Sequence, residues 1–320
     1  MDIHALILAH GQEIARQMVS GKERHLVDIA AEMLACEAFD EEVGFLYSGW
    51  CMTALPHRRP GADKEFQPWV KENGRFRLIV EPGFAFSADW QSSPVGIPYG
   101  SRARLILFYL QTEAIRGQTP DVNLGPSLSN WLGRMGISKG GLSYQAVRDQ
   151  CRRLSACRLT IGWNADDGSR GFERANIVNK MMFVPTAGDD DHETTLWNET
   201  VRLSPEFYQS LVSHPVPVSE QGIKLLCNSS LSMDIYVWLA YRLRSLNKPT
   251  TVPWGPLHQQ FGPEYANIRA FRARFHENLR EALCVYPDAK VELNPVGIVL
   301  HPSPSAVPER AAVRRLRAVG

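Results

Sequence analysis

Residues 96–163 read GIPYGSRARLILFYLQTEAIRGQTPDVNLGPSLSNWLGRMGISKGGLSYQAVRDQCRRLSACRLTIGW, and their punctuation and apolar spacing describe three helices followed by a strand. Gly96 to Gly100 is a turn. Ser101 then stands where an N-cap is wanted, ahead of an almost wholly apolar helix running from Arg104 through Leu110 to Ile115. A short second helix follows Ser127, with Leu128, Trp131, Leu132 and Met135 on one face and Gly136 as its stop. After SKGG (138–141), a third helix carries Tyr144, Val147, Cys151 and Leu154 at helical intervals. That spacing buries one stripe and leaves Gln145, Arg148 and Arg152 on the opposite side. A third helix with a basic outer face is the shape that enters the major groove of duplex DNA.

The next residues complete the pattern. Arg158–Trp163 and Ala175–Val184 are strand-like and bracket DDGSRG (166–171), which is rich in turn residues. A β-ribbon after the third helix makes the unit a winged helix, with Arg170 and Arg174 near the wing tip as backbone contacts. Asp189–Asp191 is an acidic loop, Thr195–Leu203 is strand-like, and Ser204-Pro205 starts a helix with Ser as cap and Pro in its first turn. His214-Pro-Val-Pro217 is a stiff connector, because both prolines fix φ.

Beyond that connector the same grammar repeats. Gly222–Cys227 is a short helix, and Ser232–Leu246 a long one with Ile235, Trp238, Leu239, Leu243 and Leu246 on its buried face. Leu257–Phe261, closed by Gly262, is the short second helix of the new unit. Glu264–Leu283 is the candidate recognition helix, burying Ile268, Phe271, Phe275 and Leu279. Val291–Leu293 and Ile298–Leu300 form a short wing. On the outer face of this helix Arg269 and Arg280, eleven residues apart, project from nearly the same angle, while Arg272 and Arg274 flank the buried stripe. Ala266, Ala270 and Ala273 keep that face small enough to approach a groove. Such arginines either reach DNA or form weak surface pairs with Glu277 and Glu281. Gln145, Arg148 and Arg152 face the same choice between DNA and burial in a dimer or against a neighbouring domain.

The fold class that results is α+β, with tandem winged-helix domains behind an amino-terminal helical segment. The domain boundaries read as 1–42 for that segment, 43–215 for the first winged helix with its preceding strands, 216–304 for the second, and 305–320 for a basic tail containing Arg310, Arg314, Arg315 and Arg317. The amino-terminal segment carries apolar stripes either side of a break near Gly21, and is either a helical layer over the next domain or a dimer contact. Gly44–Ala54 and Arg75–Glu81 are strand-like, with Leu55–Pro60 as a loop between them.

The net charge of +1 over 320 residues looks wrong for a nucleic-acid binder until it is divided along the chain. Residues 1–100 hold 9 basic and 14 acidic side chains, and residues 101–185 hold 12 and 6. Residues 186–262 hold 5 and 8, and residues 263–320 hold 9 and 6. The basic excess therefore falls in the two segments with candidate recognition helices, as phosphate contact requires. The six cysteines are scattered without a C-x-x-C pair, which reads as reduced and buried in a cytoplasmic protein rather than as zinc ligands or disulfides. No apolar run approaches a membrane span, and the amino terminus has no signal-peptide pattern.

Signals for catalysis are missing. GISKGG (136–141) lacks the spacing of a phosphate-cradling loop, and no His-x-His pair could hold the metal of a nickase. His57-Arg58-Arg59 makes a structural or phosphate-binding loop. The chain therefore reads as a non-enzyme, with no cofactor and no metal.

The strings LPHRRP (55–60), VGIPYGSRARLILFYLQTEAIR (95–116), NWLGRMGISKGG (130–141), FYQSLVSHPVPV (207–218), MDIYVWLAYRL (233–243), VPWGPLHQQFG (252–262) and FRARFHENLREALCVYPDAKV (271–291) resemble the RepA-type plasmid replication initiators of proteobacteria. The likeness is collinear from about residue 43 to residue 304. It implies binding to short origin repeats (iterons), opening of adjacent A·T-rich DNA, recruitment of the host initiator and replicative helicase, and repression of the chain's own promoter. It also implies a homodimer in equilibrium with monomer. In related initiators the second winged helix is the principal reader of the repeat, which biases the site towards Arg269, Arg272, Arg274 and Arg280. The alternative is a winged-helix transcription repressor without initiator activity, and a third reading, nickase or primase, lacks its metal cluster and nucleophile.

Overall fold

The computed structural model describes residues 2–36, 43–74, 76–86, 91–164, 170–180 and 200–307. Its helices are α1 (Ile3–Met18), α2 (Arg24–Ala35), α3 (Ser48–Met52), α4 (Gly100–Gly117), α5 (Leu128–Arg134), α6 (Gly141–Ala156), α7 (Pro205–Ser213), α8 (Glu220–Leu225), α9 (Ser230–Leu243), α10 (Trp254–Phe261) and α11 (Ile268–Cys284). Its strands are β1 (Val43–Tyr47), β2 (Trp69–Asn73), β3 (Phe76–Glu81), β4 (Gly83–Phe86), β5 (Ser92–Val95), β6 (Asp121–Asn123), β7 (Arg158–Asn164), β8 (Arg170–Asn176), β9 (Val178–Lys180), β10 (Thr200–Leu203), β11 (Pro215–Ser219), β12 (Thr250–Pro253), β13 (Val291–Leu293) and β14 (Gly297–Leu300). The fold is mixed α+β. Two units emerge, a central one from Phe45 to Pro215 and a split one that combines Met1–Gly44 with Val216–Gly320.

The central unit is built around α4, whose residues from Ala103 to Thr112 are all buried. A helix apolar on every side must lie inside a core, and each buried leucine or isoleucine there contributes about 1.5–3 kcal/mol. Three of its buried residues are polar or charged, Arg104, Gln111 and Thr112, and the last two serve β1. The Gln111 side chain accepts from the Tyr47 amide at 2.8 Å, and Thr112 Oγ1 accepts from the Phe45 amide at 3.0 Å, so β1 has its amides satisfied by a helix. Ser101 is not the cap. The helix opens at Gly100 behind Tyr99, because Gly100 adopts φ 73° and donates its amide to Pro56 O at 2.9 Å. The strand expected over Gly44–Ala54 stops at Tyr47 and gives way to α3.

The ribbon after α6 is two strands of a larger sheet with the order β2-β3-β7-β8. Leu78 lies opposite Ile161, and Val80 opposite Leu159, and all four are buried. Without β3, β7 would leave a row of backbone groups open at its second edge, and the pairing closes that edge. The single strand expected over Ala175–Val184 is interrupted at buried Ile177, after which β9 pairs with β10 instead of β7. Residues 181–184, the acidic run Asp189–Asp191 and the tail arginines Arg310, Arg314, Arg315 and Arg317 lie outside the described residues.

In the split unit, α9, α10 and α11 pack with a three-stranded antiparallel sheet of order β12-β14-β13. The order along the chain is helix, strand, two helices and a hairpin. β12, which periodicity did not signal, is the strand that pairs with β14 from Thr250↔Leu300 to Pro253↔Gly297. The core is aromatic. Trp238 meets Phe261 at 5.4 Å, Phe261 meets Phe275 at 5.6 Å, and Trp254 meets Phe275 at 5.9 Å between ring centroids. Edge-on and tilted pairs of this kind add to the energy of area burial.

The amino-terminal helices belong to this unit and not to the adjacent one in sequence. Leu26, Val27 and Ala30 of α2 and Ile3, Leu6 and Ala15 of α1 form one buried cluster with Cys284 at the end of α11. Gly11, at φ 77°, breaks α1 into two segments. His4 Nε2 lies 3.0 Å from Cys284 O, and Gln221 donates to Glu32 at 2.9 Å. Burial in this cluster pushes the Cys284 thiol up to about 12.

Candidate nucleic-acid interface

Helix α11 starts later than its periodicity suggests. Asn267 is the N-cap, its side chain accepting from the Arg269 amide at 2.8 Å, so residues 264–267 belong to the preceding loop. Ile268, expected in the core, is 41% exposed at the first position of the helix. Phe271, Phe275, Asn278, Leu279 and Ala282 form the buried stripe. Asn278 is the polar member and is fully engaged, donating to Arg274 O at 2.7 Å and accepting from Ser232 Oγ at 2.8 Å. Ser232 also reaches Ser229 at 2.9 Å, and Ser229 caps α9. This small network ties the middle of α11 to the start of α9.

The four arginines selected from the sequence have different surroundings. Arg269 is exposed and makes no side-chain hydrogen bond or ion pair among the described residues. Arg272 is exposed but held, its guanidinium 5.2 Å from the centre of the Trp254 ring. Arg274 pairs with Glu277 at 2.9 Å, both exposed. Arg280 is only 30% exposed and its Nη1 lies 2.5 Å from Glu23 Oε1. Hydrogen bonds from Ser20 and Arg280, with the Arg280 charge, hold the Glu23 carboxyl well below the usual range, at about 2. Arg280 therefore departs from the pairing with Arg269 that angle alone suggested. The outward face of α11 is open over its first turns and is covered by α2 over its last, where His25 also lies 3.4 Å from Glu281.

In the central unit α6 presents Gln145, Arg148 and Arg152 on one exposed face, without a side-chain hydrogen bond or ion pair among the described residues. Arg174 is exposed on β8 and donates from Nε to Thr160 Oγ1 at 3.3 Å. Arg170 begins β8 opposite Asn164; its side chain is outside the described residues. Tyr144, expected in the buried stripe, is only half-buried, and Gln150 and Arg153 are buried in its place.

Arg153 is the functional-looking residue that sequence reasoning passed over. It sits among exposed arginines but is 4% exposed, donating to Glu65 at 2.7 Å, to Asp149 at 2.8 Å and to Ile97 O at 3.3 Å. Glu65 also receives Arg59 through both carboxylate oxygens at 3.1 Å. Burial pushes the Glu65 carboxyl up, but the hydrogen bonds from Arg59 and Arg153 and their charges outweigh it, and the net shift is downward. Buried Arg104 completes the anchorage of the LPHRRP loop, donating to Leu55 O at 2.7 Å and Pro56 O at 3.2 Å. Arg59 thus has a structural role, while its neighbour Arg58 is exposed. The only sequence signal for this lock was the spacing of Arg153 on the apolar side of its own helix.

Among the described residues no group of three His, Cys, Asp or Glu side chains could hold a metal ion, and no helix is long and apolar enough to cross a membrane. No curated protein matches the chain. Two crystal structures of domains 2 and 3 of RctB are similar to it at 15% identity with a TM-score of 0.49. One match covers 82% of this chain and 99% of that chain, the other 83% and 98%. Residues 97–254 match the family described as plasmid encoded RepA protein, a segment that opens at the turn before α4 and closes at the first residue of α10. Over that segment, just under half of its length, the chain is similar to the RepA family of plasmid replication proteins.

Proposed function

We propose that this protein initiates replication of its plasmid by binding repeated sites in duplex DNA at the origin, with α11 as the principal reader and α6 as a second, backbone-contacting element. The observation that carries this reading is the family match over residues 97–254. The open, basic first turns of α11 and the unpaired basic face of α6 supply the chemistry such binding needs. Neutralised phosphates release counterions, and arginines at base edges add about 1–3 kcal/mol of discrimination for each bidentate contact. In both units helices are followed by antiparallel strands, an order that supports reading each as a winged helix, whose third helix enters the major groove.

Initiation on this reading needs no catalytic step, metal or cofactor in the chain. Opening DNA costs about 1.4 kcal/mol for each stacked step, so several bound copies and the host initiator and helicase share the load. Autorepression by a dimeric form in the cytoplasm, in exchange with a monomer that acts at the origin, completes the proposal.

The test is binding of the purified full-length chain to fragments of its own replicon across a salt series, with unrelated competitor DNA present. A ladder of one protein for each direct repeat, resistant to competitor, is the expected result. Binding confined to an inverted repeat over the promoter would replace initiation with repression alone. No sequence preference at any salt would refute the DNA-reading role.

A further inference from the structure

We infer that His276 is a base-reading residue, paired with Arg269, and that the amino-terminal helices restrict reading to the first half of α11. The inference rests on the DNA-binding role proposed above and adds to it a residue and a boundary. At about 100° per residue, Arg269, Ala273 and His276 share the side of α11 opposite Phe271, Phe275 and Leu279. All three are exposed, and neither Arg269 nor His276 has a side-chain hydrogen bond or ion pair among the described residues. The methyl of Ala273 between them lets the helix approach a base-pair edge closely.

The next basic residue on that side, Arg280, is withdrawn by Glu23 at 2.5 Å. Past it, Cys284 is buried against Leu26, Val27 and Ala30. A duplex following the outward face of α11 therefore meets arginine, methyl and imidazole, and then α2. Arg272, stacked on Trp254, and Arg274, paired with Glu277, flank this stripe and are placed for phosphates on either side.

The chemistry follows from the side chains. An imidazole N–H donates to the N7 or O6 acceptors that purines present in the major groove, and Arg269 makes the bidentate version of the same contact. Seven residues of helix rise about 10 Å, so the two read positions lie about two to three base pairs apart.

The experiment is selection from a pool of random-sequence duplexes by the full-length parent, His276→Ala, His276→Gln, Arg269→Ala and Arg280→Ala chains, each shown by thermal melting to be folded. The parent enriches a motif. His276→Ala loses preference at one position of it by about fivefold or more. Arg269→Ala loses it at another, about two to three base pairs away. Arg280→Ala keeps the parent motif and melts earlier. A His276→Ala motif identical to that of the parent overturns the inference while leaving DNA reading intact, and so does loss of a base preference in Arg280→Ala. A parent that enriches no motif overturns the DNA-reading role itself.

Discussion

Helices α6 and α11 begin as near twins and end differently. Each is the third helix of its group, each has one apolar stripe, and each is rich in arginine. In α6 the outward Arg148 and Arg152 are unengaged, while Arg153 turns inward to a buried carboxylate. In α11 no arginine is buried, but three of four are held, by a ring, by a neighbour on the helix and by Glu23, which immediately precedes α2 and is far away in sequence. The cores beneath them differ too. Largely aliphatic residues from α4 support α6, and edge-on and tilted aromatics support α11. An arginine on a helix surface is thus a reader, a strut or a buried lock according to what the rest of the chain places beside it.

The contrast breaks most visibly at the cores. Phe275→Ala removes a ring that touches Trp254, Phe261 and Phe271, and is expected to cost about 3–5 kcal/mol, read from urea melting of the full chain. A loss under about 1 kcal/mol would mean the aromatic cluster does not organise the split unit. Glu65→Ala should cost about 3 kcal/mol by removing one of the two carboxylates that pair with Arg153, whose side chain is 5% exposed. If Glu65→Ala melts like the parent, the lock between α6 and the LPHRRP loop is dispensable.

Acid probes the covered end of α11. The Glu23 carboxyl is depressed in the folded chain, so its contribution is present above the ordinary carboxylate value near 4.5 and is lost as pH falls through about 2. The same sign holds for Glu65. Glu23→Gln should flatten the acid limb of the melting profile and cost less than about 1 kcal/mol at neutral pH, as partly exposed pairs do. An unchanged acid limb would dissociate Arg280 from Glu23 in solution. The smallest effect on stability belongs to Arg148→Ala with Arg152→Ala, within about 0.5 kcal/mol of the parent. If α6 touches phosphates, that double variant lowers the slope of log affinity against log salt by about 2. An unchanged slope removes α6 from the interface.

Local pattern was enough for most elements. The apolar run of α4, the helical stripes of α6 and α11, and the cap at Ser204 are nearest-neighbour properties, legible wherever side-chain spacing matches the backbone period. Boundaries failed where a distant group intervened. Gly100 opens α4 because Pro56 O takes its amide, and α11 waits for the Asn267 cap. β12 and the four-stranded sheet went unread because strand pairing is a non-local choice.

From the order of residues alone came the helices, the strands that follow α6 and α11, the basic bias of two segments and the family likeness, since each depends on spacing within about one element. Tertiary structure alone decided that residues 3–35 pack on α11, that Arg153 is a buried lock, and that Arg280 is spoken for while Arg269 and His276 stay open. The physical reason is that the environment of a charge is set by whatever the fold brings within a few ångströms, and Glu23 lies more than two hundred residues from Arg280 in the chain.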